Sequence, residues 1–139
     1  MLLLFIIVLV ILVCTNSETI SCTGDSTYYV PSSITEISQY AFDSCTQLTS
    51  IMIPTSVTAI SAYAFYGLTN LKTVIIPSTV TIIGSAAFYG CTSLLTINIP
   101  RSISSIDDAA FRGCGSLTTI TIPDTVTSIG TFLLKCFFD

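Results

Sequence analysis

Residues 71–94 read LKTVIIPSTVTIIGSAAFYGCTSL, and the same phrase returns along most of the chain. Its proline marks the period most clearly, because a Val-Pro or Ile-Pro pair occurs every 23 residues. The prolines of this series are Pro31, Pro54, Pro77, Pro100 and Pro123. Self-similarity at one fixed period indicates a repeat architecture, in which each unit stacks on its neighbour to bury a shared core.

The length of the period indicates which repeat architecture to expect. Periods between about 20 and 29 residues are typical of leucine-rich repeats. Alignment on the proline gives four full repeats and a partial fifth, which together cover 30–139. We therefore predict a β-rich solenoid, with a parallel sheet on one face and short turns or helical turns on the other. Residues 18–29 match no repeat phrase and are expected to form an N-terminal cap.

The apolar positions of each repeat predict where the strands lie. The stretch Leu48–Ile53 alternates and is rich in β-branched residues, which is typical of a strand. Its counterparts in the later repeats are 71–76, 94–99 and 117–122. Proline follows each of these strands, where its missing N–H does least harm to the ladder. The segments expected to form a second, shorter strand are those around Ile60, Ile83 and Ile106.

Two other sets of positions recur with the period. The phrase Ala-Phe-x-Gly, as at 87–90, predicts one helical turn closed by a glycine in the left-handed conformation. Serine or threonine fills two further columns, one through Thr79 and one through Thr81. Their hydroxyls either bond to nearby backbone within each turn, form a ladder along the solenoid, or carry glycans.

The N-terminus has the features of a targeting segment. Leu2 to Val13 is an unbroken apolar run, too short for the ~20 residues that a membrane-spanning helix needs. Small residues at Thr15 and Ser17 suit cleavage, although no basic residue precedes the run. We predict a signal peptide over 1–17, with an uncleaved membrane anchor as the alternative.

Composition excludes several functional classes. Only 9% of residues are charged, against roughly 25% in typical soluble domains, and the net charge is −4. Nucleic-acid binding needs a basic surface, so a nucleic-acid partner is not expected. The chain contains no histidine, which excludes histidine triads and histidine metal sites. Because repeats supply binding surface more readily than a catalytic pocket, we predict no enzyme, no cofactor and no metal.

The phrase over 71–94 resembles the BspA-like leucine-rich repeats, whose pattern is close to L-x-x-I-x-I-P-x-x-V-x-x-I-x-x-x-A-F-x-x-C-x-x-L. The resemblance covers 30–130 in five in-phase copies. It implies a secreted or surface-attached protein of a bacterium or parasitic protist, with a role in adhesion and no catalytic residues. Leu68 in the cysteine column and Leu134 in the phenylalanine column depart from the pattern.

Six cysteines require an explanation. Cys45, Cys91 and Cys114 share a column that also holds Leu68 and Phe137, so this column is interpreted as a packing position filled by buried thiols. Cys22 precedes the array and could pair with another cysteine in a secreted chain. Its most plausible disulfide partner is Cys45. The absence of any C-x-x-C pair argues against a zinc site.

Two surfaces are candidates for binding. On the sheet, the outward positions alternate with the buried ones and form an uncharged, hydroxyl-rich face: Ser50, Met52, Thr73, Ile75, Thr96, Asn98, Thr119 and Thr121. This face is either simply solvated or binds a protein or glycan. On the convex turns, one variable column contains Tyr66, Tyr89 and Arg112, with Asp43 and Lys135 at its ends. Tyr66 and Tyr89 should stack, and tyrosine and arginine are favoured at interfaces.

These observations predict a non-catalytic recognition or adhesion module, secreted or at the cell surface, that binds an extracellular protein or glycan. One alternative is a structural protein that self-associates through its uncapped C-terminal end, which carries Phe137 and Phe138. Another is a fragment of a longer leucine-rich-repeat ectodomain. Membrane contact is expected only through the N-terminal segment or through a C-terminal anchor that the sequence lacks.

Overall fold

The structure is a computed structural model that describes residues 20, 22 and 26–133. The predicted signal peptide, half of the predicted cap, and the C-terminal end with Lys135, Phe137 and Phe138 lie outside these residues. Self-association through that end therefore stays a prediction. Within the described part of the chain, no helix is long and apolar enough to cross a membrane.

The described residues form nine short strands arranged in two parallel sheets. Sheet A has the order β1-β3-β5-β7 and consists of β1 (Thr27–Tyr29), β3 (Ser50–Met52), β5 (Thr73–Ile75) and β7 (Thr96–Ile97). Sheet B has the order β2-β4-β6-β8-β9 and consists of β2 (Glu36–Ile37), β4 (Ala59–Ile60), β6 (Ile82–Ile83), β8 (Ser105–Ile106) and β9 (Ser128–Ile129). The predicted solenoid is confirmed, including the second strand of each repeat.

Register follows the sequence period throughout both sheets. Each residue pairs with the residue 23 positions later, as in Ile51↔Val74 of sheet A and Ile60↔Ile83 of sheet B. The sheet A strands cover three residues or fewer rather than the six expected. The predicted strand over 117–122 is reduced to one bridge, between Asn98 and Thr121. Within the described chain this segment has a neighbouring strand on one side only. It therefore makes backbone hydrogen bonds to one neighbour instead of two.

The N-terminal boundary of the array differs from the expected one. Residues 18–29 were predicted to precede the repeats, yet β1 lies in this segment and pairs with β3 in the common register, Thr27 opposite Ser50. A boundary before Val30 therefore cuts through a repeat. Proline alignment places it there because this copy has no Ile-x-Ile-Pro phrase before Pro31, and Tyr28 and Tyr29 occupy the strand instead.

A continuous core runs between the two sheets. Its largest members are phenylalanines stacked along the solenoid axis, with ring centroids 5.1, 4.8 and 5.2 Å apart from one repeat to the next. These fully buried rings are Phe42, Phe65, Phe88 and Phe111. Isoleucine and leucine columns surround them, and no polar side chain is buried among the described residues. Burial of each large side chain stabilises the fold by about 1.5–3 kcal/mol. A single repeat has no neighbour to pack against and could not bury these side chains.

The hydroxyl columns form two ladders along the solenoid. Thr79 donates to the carbonyl of Val57 at 2.6 Å, and Ser102 donates to that of Val80 at 2.5 Å. The hydrogen bonds of the second ladder are longer. In one of them, the hydroxyl of Thr127 donates to the carbonyl of Ser104 at 3.2 Å. Each hydroxyl thus satisfies a carbonyl of the preceding repeat. The ladder interpretation is confirmed over the interpretation as local turns.

Candidate interaction surfaces

The outward face of sheet A lies where the sequence predicts it. Seven of its eight predicted residues are exposed, and Ser50 is half-buried. The structure adds Tyr29, which pairs in register with Met52, while Met52 pairs with Ile75. Tyr29 is missed by the sequence reasoning because its segment was not aligned with the repeats. The signal was present, since Tyr29 lies one period before Met52.

Three neighbouring apolar side chains on this face form what we call the apolar row: Tyr29, Met52 and Ile75, which are 68%, 39% and 51% exposed. Adjacent strands of a parallel sheet lie ~4.8 Å apart, so the three side chains stand side by side. The same column continues with Asn98 and Thr121, which are polar. The apolar character is therefore confined to the N-terminal half of the face.

The predicted convex column is also assembled by the turns. Tyr66 and Tyr89 stack with ring centroids 5.4 Å apart and planes 19° from parallel. The guanidinium of Arg112 lies over the ring of Tyr89, 5.7 Å from its centroid. Asp43 occupies the same position of the first repeat and is exposed. The column therefore reads acid, tyrosine, tyrosine, base along the solenoid.

A second aromatic column runs beside the first. Tyr40 stacks on Tyr63 at 5.3 Å, and Tyr63 meets Tyr66 edge-on at 5.7 Å. Further along, Arg112 also lies over Phe132, 6.0 Å from that ring's centroid. Together these side chains form what we call the aromatic ridge: Tyr40, Tyr63, Tyr66, Tyr89, Arg112 and Phe132. Sequence reasoning missed its second column, although Tyr40, Tyr63 and Phe132 keep the 23-residue spacing.

Backbone strain distinguishes the second column. Tyr40, Tyr63 and Phe132 have φ of 55°, 57° and 56°, as do Ala86 and Ala109 at 52° and 55°. Left-handed backbone costs a non-glycine residue roughly 1–2 kcal/mol. Bonds to the next repeat offset this, such as the amide of Tyr63 donating to Ser85 at 3.0 Å. Because alanine fills the position in two repeats, the backbone does not require an aromatic there.

The four cysteines that the structure describes occur in two different states. Cys22 and Cys45 form a disulfide with an S–S distance of 1.97 Å, joining the pair that the sequence analysis selected. The two are 23 residues apart, so Cys22 keeps the repeat register rather than standing outside it. Cys91 and Cys114 are buried thiols that donate to the carbonyls of Phe65 and Phe88, at 3.1 and 3.2 Å.

The buried thiols are poorly suited to chemistry. Burial, together with the neighbouring Cys114, raises the pKa of Cys91 well above its usual range, so this thiol stays protonated. A protonated thiol is a poor nucleophile and a poor metal ligand. Within residues 20, 22 and 26–133, no three potential metal ligands come together.

Comparison with known families decides the identity of the repeat. The family model described as "BspA type Leucine rich repeat region" matches residues 16–137 in six copies. The chain belongs to the BspA-type leucine-rich-repeat family. The predicted resemblance is thereby confirmed, and six BspA-type copies include the N-terminal segment that proline alignment left out. Curated proteins contain no significant match to the chain.

Solved structures of leucine-rich repeat proteins share the fold. A leucine-rich repeat protein from T. pallidum is 33% identical with a TM-score of 0.78, and the alignment covers 81% of this chain and 56% of that one. A leucine-rich repeat protein from Bacteroides ovatus is 30% identical with a TM-score of 0.73, covering 84% and 34%. The pneumococcal vaccine antigen PcpA, at 21% identity and a TM-score of 0.70, covers 78% and 28% and shows the fold alone. The chain thus spans about half or less of these proteins' lengths.

Proposed function

We propose that the chain is a non-catalytic recognition module, secreted or displayed at the cell surface, that binds an extracellular protein through the apolar row. The observation that carries this proposal is the exposure of Tyr29, Met52 and Ile75 side by side on a rigid sheet. Burying the apolar surface that these side chains still expose contributes about 25 cal/mol per Å² removed from water, before the costs of association. Tyrosine is also among the residues enriched in binding hot spots.

Two observations support an extracellular location. The disulfide between Cys22 and Cys45 is a bond that persists in oxidising compartments and is rare in the cytosol. The apolar run over 2–13 has the length of a signal-peptide core.

A protein ligand is favoured over a glycan by the chemistry of the face. Glycans are recognised through many hydrogen bonds and aromatic platforms, whereas the apolar row has two aliphatic members and no charge. The threonines beside the row supply uncharged hydrogen-bonding groups at its rim. This arrangement of an apolar centre with a polar rim is typical of protein–protein interfaces.

The test compares two exposed isoleucines on opposite sheets. Ile75 of sheet A and Ile82 of sheet B are 51% and 45% exposed, so lysine is tolerated equally well at both. Binding of the purified protein to a surface coated with extracellular matrix proteins is measured for Ile75→Lys and Ile82→Lys. We expect Ile75→Lys to weaken binding by about tenfold or more, because it places a charge in an apolar contact, and Ile82→Lys to leave it unchanged.

Three results would overturn the proposal. Equal binding by both variants would place the ligand elsewhere, and so would a loss confined to Ile82→Lys. The third result has two parts: free glycans abolish binding, and matrix proteins stripped of their glycans are no longer bound. Together they would show that the face binds carbohydrate instead.

A further inference from the structure

We propose that the aromatic ridge is a self-recognition surface, on which a second copy of this chain docks antiparallel. The twofold axis lies in the plane of the interface, perpendicular to the solenoid axis, and passes between the repeats that carry Tyr66 and Tyr89. This inference goes beyond the proposed recognition function and uses residues of the turns, none of which lies on sheet A.

The first column of the ridge is self-complementary in charge. Along the solenoid it runs Asp43, Tyr66, Tyr89, Arg112, one residue per repeat. Reversal about the proposed axis places Asp43 of each copy opposite Arg112 of the other, and Tyr66 opposite Tyr89. One axis thus creates two ion pairs with an aromatic contact between them. An isologous twofold interface requires this kind of self-complementary pattern.

The second column is self-complementary in size under the same axis. It runs Tyr40, Tyr63, Ala86, Ala109. Reversal places Tyr40 opposite the half-buried Ala109, and Tyr63 opposite the repeat in which this column holds the buried Ala86, so each large ring of one copy faces a repeat with a small residue in this column. A parallel arrangement would not match the charges in this way, because Asp43 of one copy would face Asp43 of the other. Two independent columns therefore select the same antiparallel register.

The charges that the proposal uses have no ion-pair partner inside the described chain. The salt bridge found there joins Arg101 to Asp124 at 2.7 Å and does not involve Asp43 or Arg112. Asp43 is exposed, and Arg112 is held over the rings of Tyr89 and Phe132. Arg112 is thereby positioned on the surface before a partner arrives. The tyrosines are restrained by their stacking, which lowers the entropy lost on docking.

The size of the ridge predicts a weak, reversible dimer. Four repeats at ~4.8 Å each give a surface about 19 Å long. A patch of this length that is only two side-chain columns wide is small for a specific interface, as in weak and transient complexes. A dimer of this kind presents two sheet A faces, because no residue of the ridge belongs to sheet A. Two linked faces bind a multivalent surface more tightly than one, because the second contact becomes intramolecular.

The experiment uses charge reversal and sedimentation velocity of the purified protein over a wide concentration range. Wild type should show a concentration-dependent monomer–dimer equilibrium that weakens with added salt. Asp43→Arg and Arg112→Asp should each weaken dimerisation by about tenfold or more, since each creates two like-charge contacts per dimer. An equimolar mixture of the two variants should dimerise again, because each variant now complements the other.

Asp124→Arg is the control for Asp43→Arg, because it makes the same charge change at an exposed site away from the ridge. It also breaks the ion pair with Arg101, which contributes little to stability because both side chains are exposed. It should dimerise as wild type does, and circular dichroism should show the same fold in every variant. Should a reversal variant misfold, a mixture of Asp43→Cys and Arg112→Cys provides the second measurement, and oxidation should capture a covalent heterodimer. A wild type that is monomeric throughout, single variants that dimerise like wild type, or a mixture that stays monomeric overturns the proposal.

Discussion

The two halves of the solenoid share one backbone but present different outward faces on sheet A. In the N-terminal half the outward column holds Tyr29, Met52 and Ile75, which form the apolar row. In the C-terminal half the same column holds Asn98 and Thr121. Since strand register and spacing are unchanged along the sheet, the backbone does not impose this difference.

The turns and the cysteine column differ between the same halves. The left-handed turn position changes from Tyr40 and Tyr63 to Ala86 and Ala109. The cysteine column changes from a disulfide in the first repeats to buried thiols in the later ones. The comparison teaches that inward positions stay apolar, even where the residue changes, because stacking needs them, whereas outward positions change in chemistry and carry what is specific to this chain.

The largest predicted effect tests the uniformity of the interior. Phe65→Ala and Phe88→Ala each remove one ring from the continuous stack and should cost about 3–5 kcal/mol of unfolding free energy. Because one ring lies in each half and both are fully buried, the two losses should be similar. Urea unfolding followed by circular dichroism measures them. A much smaller loss for either ring would contradict a single core.

The next effect separates the two states of the cysteine column. Cys45→Ser removes the disulfide and should lower the unfolding free energy by about 2–4 kcal/mol. Cys91→Ser should cost about 1 kcal/mol, because the serine hydroxyl can keep the bond to the carbonyl of Phe65. The same urea titration without reductant compares the two. Equal losses would show that the N-terminal pair is no more important to stability than the later thiols.

Much of this account could be predicted from the period alone. Pro54 and Pro77 define the repeat, and the alternation around Val74 and Ile76 predicts the strand, its inward face and its outward face. These inferences succeed because local pattern and stacking agree in the central repeats, whereas the segment over 117–122 keeps only one bridge. The hydrogen-bond partners of the recurring hydroxyls could not be predicted, because the hydroxyl of Thr79 can donate equally well to a local turn or to the preceding repeat.

Other features could not be obtained in this way. Tyr29 and Cys22 keep the period but lie before the first proline, so alignment on Pro31 excluded them. Tyr40 and Tyr63 were overlooked because a left-handed backbone normally favours glycine, and nothing in a single sequence indicates that a tyrosine adopts it. Their contacts with Tyr66 depend on the turn conformation, which the sequence pattern does not specify.

A smaller effect concerns the hydroxyl ladder. Thr79→Val removes a half-buried hydroxyl that donates at 2.6 Å and should cost about 1 kcal/mol. Thr125→Val removes a bond of 3.3 Å in the last repeat and should cost less. Thermal unfolding of both variants beside wild type provides the measurement. A larger loss at Thr125 would mean that the ladder is tightest at the C-terminal end.

The central claim is that binding depends on the apolar row in the N-terminal half of sheet A. Ile75→Asn replaces the isoleucine of the row with the asparagine that occupies the same position in the next repeat. Asn98→Ile does the reverse and extends the apolar row by one repeat. Both sites are exposed, so stability should change by less than about 0.5 kcal/mol.

The most direct test is the affinity of these two variants for a matrix-coated surface, measured beside wild type. We predict that Ile75→Asn weakens binding and that Asn98→Ile leaves it equal or tighter. Unchanged binding by Ile75→Asn, or a loss caused by Asn98→Ile alone, would contradict the account.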